Sequence, residues 1–350
     1  MNLYVHFPFC RRRCTYCALH SRAGSTEGER RDYVERLVAA VGALPCGRAG
    51  LDTVYFGGGS PALCDLGPLF DALAPLAGPA AEFTVELHPL DATRGTLASL
   101  KAGGVNRISM GVQSLDDGVL RRMGRGYSFA EAERAFGLVR ENFDNAGIDL
   151  ITGYPGETAA LLPRYARLAG WGLSHCSVYS LILEERSALA RRVASGVDSL
   201  LPDDTVMDRV KVLSRFMADI GLRRYEISNY GIPGRECRHN IAVWRGEDYF
   251  GLGEGARGRV GLMRTKDWFG ESLGPGSPAV DETVTPEEDE KERRLFALRT
   301  AEGLDTAGRD GWAETLDGFA GCGLVVKDGS VYRLTERGTE VCDSILAELA

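Results

Sequence analysis

The sequence predicts an α/β fold built on a parallel sheet, on three observations: short apolar segments alternate with amphipathic ones, their spacing is steady, and the residues suited to chemistry fall just after the apolar segments. The expected strands are Asn2–Phe7, Thr53–Phe56, Glu82–Leu87, Arg107–Gly111, Ala146–Leu150 and His175–Leu181. Between them, helical periodicity runs over Arg30–Gly42, Leu66–Leu76, Thr93–Ala102, Leu115–Met123, Phe129–Asn142 and Ala159–Gly170. Strands alternating with helices imply right-handed βαβ crossovers. If the sheet curls, the result is an incomplete TIM-type (β/α)6 barrel with its chemistry at the C-terminal strand ends. A cysteine loop follows the first strand, a glycine run the second, Glu86 ends the third, Gln113 follows the fourth, and Asp149 ends the fifth. All of this falls on one face, which scattered polar residues would not do.

Beyond residue 183 the periodicity weakens. A helix over Asp208–Gly221 and a strand over Arg223–Ser228 are expected, then a glycine-punctuated stretch, Tyr249–Gly261, that suggests backbone packed closely against something. Leu273–Pro286, rich in Gly, Pro and Ser, reads as a linker. The end reads as helices Thr285–Leu298 and Gly308–Ala320, strands Leu324–Lys327 and Val331–Leu334, and helix Glu336–Leu349. That order resembles a small winged-helix-like α+β domain. The expected organisation is a barrel over 1–183, an extension covering the substrate over 184–272, and a C-terminal domain over 285–350.

The 350 residues suffice for one large barrel or for a domain with an appendage. A net charge of −8 argues against nucleic acid as a partner, because phosphate binding needs a basic face. No apolar run reaches the length of a transmembrane helix, and the first residues read as a strand and not as a signal peptide, so the expected location is the cytoplasm. The nine cysteines are an odd number. Three lie within eight residues, and the others, Cys46, Cys64, Cys176, Cys237, Cys322 and Cys342, are scattered. In a reducing compartment this suggests a metal site plus bystanders, not a disulfide framework.

Cys10-Arg-Arg-Arg-Cys14-Thr-Tyr-Cys17 has CxxxCxxC spacing, the sharpest signal in the chain. Thiolates bind zinc as well as iron–sulfur clusters, so ligand type alone does not choose the metal. A closed zinc site or a ferredoxin cluster takes four protein ligands. No fourth cysteine follows at such spacing, although His6 and His20 are candidates. Gly57-Gly58-Gly59-Ser60-Pro61 can bring backbone close to a ligand. Glu86 is a candidate acceptor for a pair of hydroxyls, or a buried structural carboxylate. Arg125 offers a bidentate fork for a carboxylate, or a salt bridge. Tyr16 either packs on a flat ligand or shields the metal from water.

With these residues in place the chain resembles the radical-SAM superfamily, whose hallmark is CxxxCxxC after the first strand. The resemblance implies a [4Fe–4S] cluster on Cys10, Cys14 and Cys17, with an open iron that chelates S-adenosylmethionine (SAM) and delivers an electron that releases a 5′-deoxyadenosyl radical. Ser60 stands where many members have Thr or Glu. Asp149 and Gly153-Tyr154-Pro155-Gly156-Glu157 resemble the superfamily's adenine-contacting turn.

Tyr4-Val5-His6-Phe7-Pro8-Phe9-Cys10, the GGGSP turn, Asn106–Ser114, Asp149–Gly156 and Tyr225–Tyr230 narrow the likeness to the coproporphyrinogen dehydrogenase/HemW group, over nearly the whole chain. By that resemblance Tyr4, Gly58, Glu86 and the cysteine loop face the cluster-bound SAM. Tyr16, Gly59, Ser60, Gln113, Arg125 and Asp149 face a second SAM or the substrate. The dehydrogenases of the group oxidatively decarboxylate coproporphyrinogen III and carry a CxxxCxxCxC loop and an N-terminal extension. Here position 19 is Leu19 and the chain begins close to the first strand. Both features favour the heme-chaperone branch, which carries heme as cargo to a client protein and has an HNxxYW motif. This chain has His239-Asn240-Ile241-Ala242-Val243-Trp244, with Val in place of Tyr. His239 is the candidate heme ligand, with a hydrogen-bonded turn as its alternative. The resemblance also implies an electron donor such as a flavodoxin or ferredoxin, and it leaves room for transient membrane association. Two other readings stay open: a radical-SAM enzyme on another substrate, which would form 5′-deoxyadenosine, and a binding module that no longer cleaves SAM.

Overall fold

The computed structural model describes residues 1–45, 50–274, 277–308 and 311–350. Cys46, part of the expected linker and residues 309–310 of the expected Gly308–Ala320 helix lie outside the described residues.

The elements at the centre are β1 (Asn2–Phe7), α1 (Glu27–Gly42), β2 (Leu51–Gly58), α2 (Gly67–Leu73), β3 (Ala77–Leu87), α3 (Arg94–Ala102), β4 (Arg107–Gln113), α4 (Asp117–Met123), α5 (Phe129–Asn142), β5 (Asn145–Thr152) and β6 (His175–Ser180). The six strands pair in parallel and in sequence order, as expected. Each strand alternates, so its two faces differ. Leu3, Val5 and Phe7 of β1 and Ile108, Met110 and Val112 of β4 are fully buried in the main hydrophobic core. Burial of each such side chain stabilises the fold by roughly 1.5–3 kcal/mol. The other face carries Tyr55, Glu86, Arg107, Ser109, Asp149 and Ser177, which line a cavity. Parallel strands are usually apolar on both faces. A polar inner face marks a ligand chamber, where an all-apolar one would mark a packed core. Capping boxes at Thr26/Glu29 and Ser128/Glu131 start α1 and α5.

After β6 come α6 (Ala188–Ala194), α7 (Asp203–Asp219), β7 (Arg223–Arg224), β8 (Asn229–Gly231), α8 (Arg238–Trp244), β9 (Tyr249–Leu252), β10 (Arg257–Val260), β11 (Met263–Lys266) and β12 (Val280–Thr283). The sheet runs β12-β11-β10-β9-β1-β2-β3-β4-β5-β6-β8-β7, twelve strands in all. β9 adds a seventh parallel strand beside β1, and β10 to β12 continue antiparallel.

Several elements differ from expectation. The glycine-punctuated stretch is strand: a Cβ on Gly251 would meet the Arg257 carbonyl oxygen at 2.0 Å, so the glycine admits the neighbouring strand. The expected linker contains β12. Ala159–Trp171 is a 3-10 helix and not an α-helix, with Pro163, which has no N–H to donate, inside it. The Arg223–Ser228 strand is only two residues long, and helices α6 and α8 carried no sequence expectation.

The last elements are α9 (Pro286–Leu298), β13 (Leu304–Asp305), α10 (Ala313–Gly321), β14 (Val325–Asp328), β15 (Val331–Leu334), α11 (Glu336–Glu340) and α12 (Cys342–Leu349). The expected final helix is therefore two. These elements enclose their own small core of Leu298, Leu304, Leu316, Val325, Tyr332 and Ile345. Contacts tie them to the rest: Arg224 Nη1 donates to Thr339 Oγ1 at 2.7 Å, and Trp244 meets Phe296 edge-on at 5.3 Å. Among the described residues no helix is long and apolar enough to cross a membrane.

Candidate functional site

The cysteine loop leaves β1 at Pro8 and is pinned at several points. Phe9–Cys10 pairs in parallel with Arg22–Ala23. Thr15 N–H donates to the Met123 carbonyl at 2.9 Å, and the Thr15 carbonyl accepts from Leu189 N–H at 2.7 Å. Arg11 Nε donates to the buried Asp91 carboxylate at 2.7 Å. The loop closes over the C-terminal strand ends, where a cavity of about 550 Å³ opens.

Cys10, Cys14 and Cys17 all line that cavity, each partly exposed. Burial, and then the neighbouring thiols, push Cys10 and Cys17 above the ordinary thiol value, although bonds from Ser21 and Leu19 oppose the rise. Thiols that feel one another's charge are ready to bind a cationic centre, with loss of protons on binding. Arg125 Nη1 donates to Cys14 Sγ at 3.2 Å. Both alternative fourth ligands are otherwise engaged. His6 Nε2 donates to the His20 carbonyl at 2.8 Å, so its Nδ1 accepts from Tyr4 Oη at 2.9 Å. His20 is exposed and faces Glu254 at 3.7 Å. Among the described residues no three His, Cys, Asp or Glu side chains converge as a single bound ion requires. A four-iron cluster, whose ligands bind separate irons, does not need that convergence. The residues present fit a cluster on three thiolates.

The walls carry the other expected residues. Gly58, Gly59, Ser60, Glu86, Gln113, Arg125, Asp149 and Tyr16 all line the same cavity. Gly58 has φ 99°, and a Cβ there would come within 2.5 Å of the His6 ring, so this position requires glycine. The turn's N–H groups, expected to face a ligand, are instead engaged in the fold: Gly58 with Glu86 Oε2, Gly59 with the Phe7 carbonyl, Ser60 with the Phe9 carbonyl. Gln113 has φ 67°, at a register shift between β4 and β5. Left-handed backbone at a residue other than glycine costs roughly 1–3 kcal/mol and is characteristic of functional sites.

Two carboxylates share the chamber. Glu86 accepts from Tyr55 Oη at 2.9 Å and from Gly58 N–H at 3.0 Å. Burial and then Asp149 push its carboxyl up to about 7. Asp149 accepts from Ser109 Oγ at 3.1 Å and is also raised, by burial. A cationic ligand relieves both groups. Opposite them Arg125 Nη2 donates to the Gly111 carbonyl at 2.8 Å, and burial is outweighed by Tyr127, Tyr16 and Cys14, which hold the guanidinium charged.

Two expected site residues are not among those lining the cavity. Tyr4 pairs with Tyr55 across β1 and β2, is bonded to His6, and has its ring 6.0 Å from that of Tyr55. His239 is the other. It is 5% exposed, below the chamber at the N-terminal strand ends. Thr53 Oγ1 donates to Asn2 Oδ1 and so accepts from His239 Nδ1, at 2.8 Å. Burial and then Arg107 lower the imidazole to about 4. The ring packs near Tyr55, Tyr249 and Tyr4. Asn240 reaches the chamber floor, and Trp244 packs on Phe296 and Arg299.

Sequence reasoning missed the floor. Arg107 and His175 line the cavity, and Arg107 Nε and Nη1 and His175 Nδ1 have no hydrogen-bond partner. The two-residue alternation of Arg107-Ile-Ser109-Met-Gly111 and His175-Cys-Ser177-Val-Tyr179 carries the signal that identifies them.

A family model described as the Radical SAM superfamily matches residues 4–169. The Heme chaperone HemW of Synechocystis is 33% identical over 87% of this chain and 79% of its own length. That of Bacillus subtilis is 30% identical over 99% and 100%. That of Escherichia coli is 33% identical over 74% and 70%. Among solved structures, the radical SAM enzyme coproporphyrinogen III oxidase (HemN) from E. coli aligns with a TM-score of 0.82 and 20% identity, over 99% of this chain and 89% of that one, a likeness of fold.

Proposed function

This chain belongs to the radical SAM superfamily and, within it, to the HemW group, and on that premise we propose that it binds heme and passes it to a client protein. Superfamily membership implies a [4Fe–4S] cluster and SAM. One observation carries the reading of the site: three thiols, two carboxyls of raised pKa and a half-buried guanidinium converge on one chamber.

When bound, the cluster supplies one electron and an open iron to a chelating ligand. Cys10, Cys14 and Cys17 hold it, and Arg125 orients Cys14. Glu86 and Asp149 suit the positive groups of SAM, while Gln113 and Ser60 border the same space. The loop, fixed through Thr15 and Arg11, keeps water from the cluster. Arg12 and Arg13, exposed on that loop, suit an acidic electron donor of the flavodoxin or ferredoxin type.

The chaperone reading is favoured over dehydrogenation by Leu19, which stands 53% exposed at the cavity where the dehydrogenase pattern has its further cysteine. The test is an anaerobic assay of the cluster-loaded protein with SAM, reductant and coproporphyrinogen III. No protoporphyrinogen above a cluster-free control is expected. Turnover to product would overturn the chaperone reading and make the protein a dehydrogenase.

A further inference from the structure

The cluster chamber has a second end. Arg107, Ser109, Gly111 and Gln113 of β4 line it, as do His175, Ser177 and Tyr179 of β6. At roughly 3.3 Å of rise per residue, β4 spans about 20 Å from Arg107 to Gln113. The cysteine loop and Arg125 stand at the upper end of the cavity, and Arg107 and His175 at the lower.

The lower end holds donors that lack acceptors. Arg107 is 1% exposed, and its Nε and Nη1 have no hydrogen-bond partner among the described residues. Burial opposes its charge, but Cys237, Glu82, Tyr55 and Tyr225 hold the guanidinium charged. Glu82 does not bond to it: that carboxylate accepts from the N–H groups of Arg238 and His239, at 2.9 and 3.1 Å. Glu86 is engaged by Tyr55 and Gly58, and Asp149 by Ser109. His175 is also 1% exposed. A Cβ on the adjacent Gly147 of β5 would meet the His175 Cβ at 2.8 Å, so the glycine admits the histidine. Tyr225 Oη accepts from Cys237 N–H at 3.3 Å and gives its own proton to His175 Nε2 at 2.8 Å. Burial, and then Arg107, push the imidazole well below its ordinary value. The neutral ring therefore carries its proton on Nδ1, which has no partner either.

Buried donors without acceptors weigh against the fold, and a ligand that brings acceptors relieves them. A fixed positive charge with several N–H groups, in a cavity that already holds polar walls, is matched by a carboxylate. We propose that the lower end of the chamber binds the carboxylate of a second ligand, beneath the SAM held at the cysteine loop, through Arg107 and the Nδ1–H of His175. This rests on the chamber being the SAM site and not on heme being the cargo. A carboxylate chelated at the cluster belongs to the opposite end, so that of SAM does not serve here. Glu86, held at about 7, keeps much of its proton at neutral pH and so puts little charge against an incoming anion.

The test is an NMR titration of the cluster-loaded, SAM-bound protein with propionate labelled with carbon-13 at its carboxyl group. Propionamide, of the same size but uncharged, is the comparison, and SAM binding is measured in the same samples. Expected are a saturable propionate shift and a tenfold or greater preference for propionate over propionamide. Arg107→Gln and His175→Leu should each bind propionate tenfold or more weakly, and the exposed Arg94→Gln on α3 should bind as the wild type does. Cluster content and far-UV circular dichroism check the fold of each variant, and the propionamide comparison on the wild type decides if a variant fails to fold. Absence of saturable binding, or undiminished binding in both folded variants, would overturn the proposal and leave the SAM reading standing. Displacement by an equal concentration of chloride would show a simple anion site and overturn the carboxylate assignment. Displacement of propionate by SAM would give these donors to SAM and overturn the second ligand. Failure of SAM to bind would overturn both readings.

Discussion

Cys14→Ala is expected to abolish cluster assembly, lowering iron and acid-labile sulfide to roughly a tenth of the wild-type content or less. Cys14 is the middle thiol of the three and the one that Arg125 holds at 3.2 Å. Its loss leaves two thiols and no substitute, because both nitrogens of His6 are engaged and His20 faces Glu254. The fold should survive, since the loop is anchored by the backbone of Thr15 and by Arg11, not by a thiol. Reconstitution followed by iron and sulfide analysis, with circular dichroism as the check on folding, measures this. The exposed Cys322 serves as control, and Cys322→Ala should reconstitute normally. Full iron and sulfide in Cys14→Ala would remove the three-cysteine assignment.

Glu86→Gln is expected to separate stability from ligand binding. The Glu86 carboxyl sits at about 7 in the fold against an ordinary 4.5, so the folded state holds a proton that the unfolded chain has already lost. Its stabilising contribution is complete below pH 4.5 and is lost as pH rises through 7. The full difference is about 3 kcal/mol. At pH 8 the buried carboxylate therefore weighs against folding of the cluster-free protein. Glutamine removes that charge but offers its one oxygen to only one of the two donors, Tyr55 Oη and Gly58 N–H, and sets its NH2 group against the other, leaving a net gain of about 1–2 kcal/mol at pH 8. Urea unfolding at pH 5 and pH 8 reads the effect: the variant should exceed the wild type at pH 8 and lose that advantage at pH 5. SAM binding to the cluster-loaded variant should weaken by about tenfold, because one of two carboxylates facing a cationic ligand is gone. A variant less stable at both pH values, with unchanged SAM affinity, would return Glu86 to a purely structural role.

The parallel core was legible because alternation and helical periodicity are local properties of the sequence. Six strands, their order, and the face carrying Cys10, Gly58, Glu86, Gln113 and Asp149 all followed from them. What escaped depends on distant partners. Gly251 looks like a loop residue until the Arg257 carbonyl is placed 2.0 Å from where its Cβ would be. β9 is a strand because β1 offers it an edge, which its own residues do not announce. His239 illustrates the same limit for the site. A histidine beside Asn240 and Trp244 suits a metal on chemical grounds, and only the fold shows it donating to Thr53 below the chamber. Arg107 and His175 were overlooked for the opposite reason. They begin strands, far in sequence from the strand ends where chemistry is expected, yet the interior reaches down to them.

The most direct test of the central claim is an anaerobic heme titration of the wild-type protein after its iron and sulfide content has been measured. Saturable binding near one heme per chain, with the cluster retained, is the expected result. A fully loaded cluster with no saturable Soret change would contradict the account and leave a radical-SAM protein whose ligand is something other than heme.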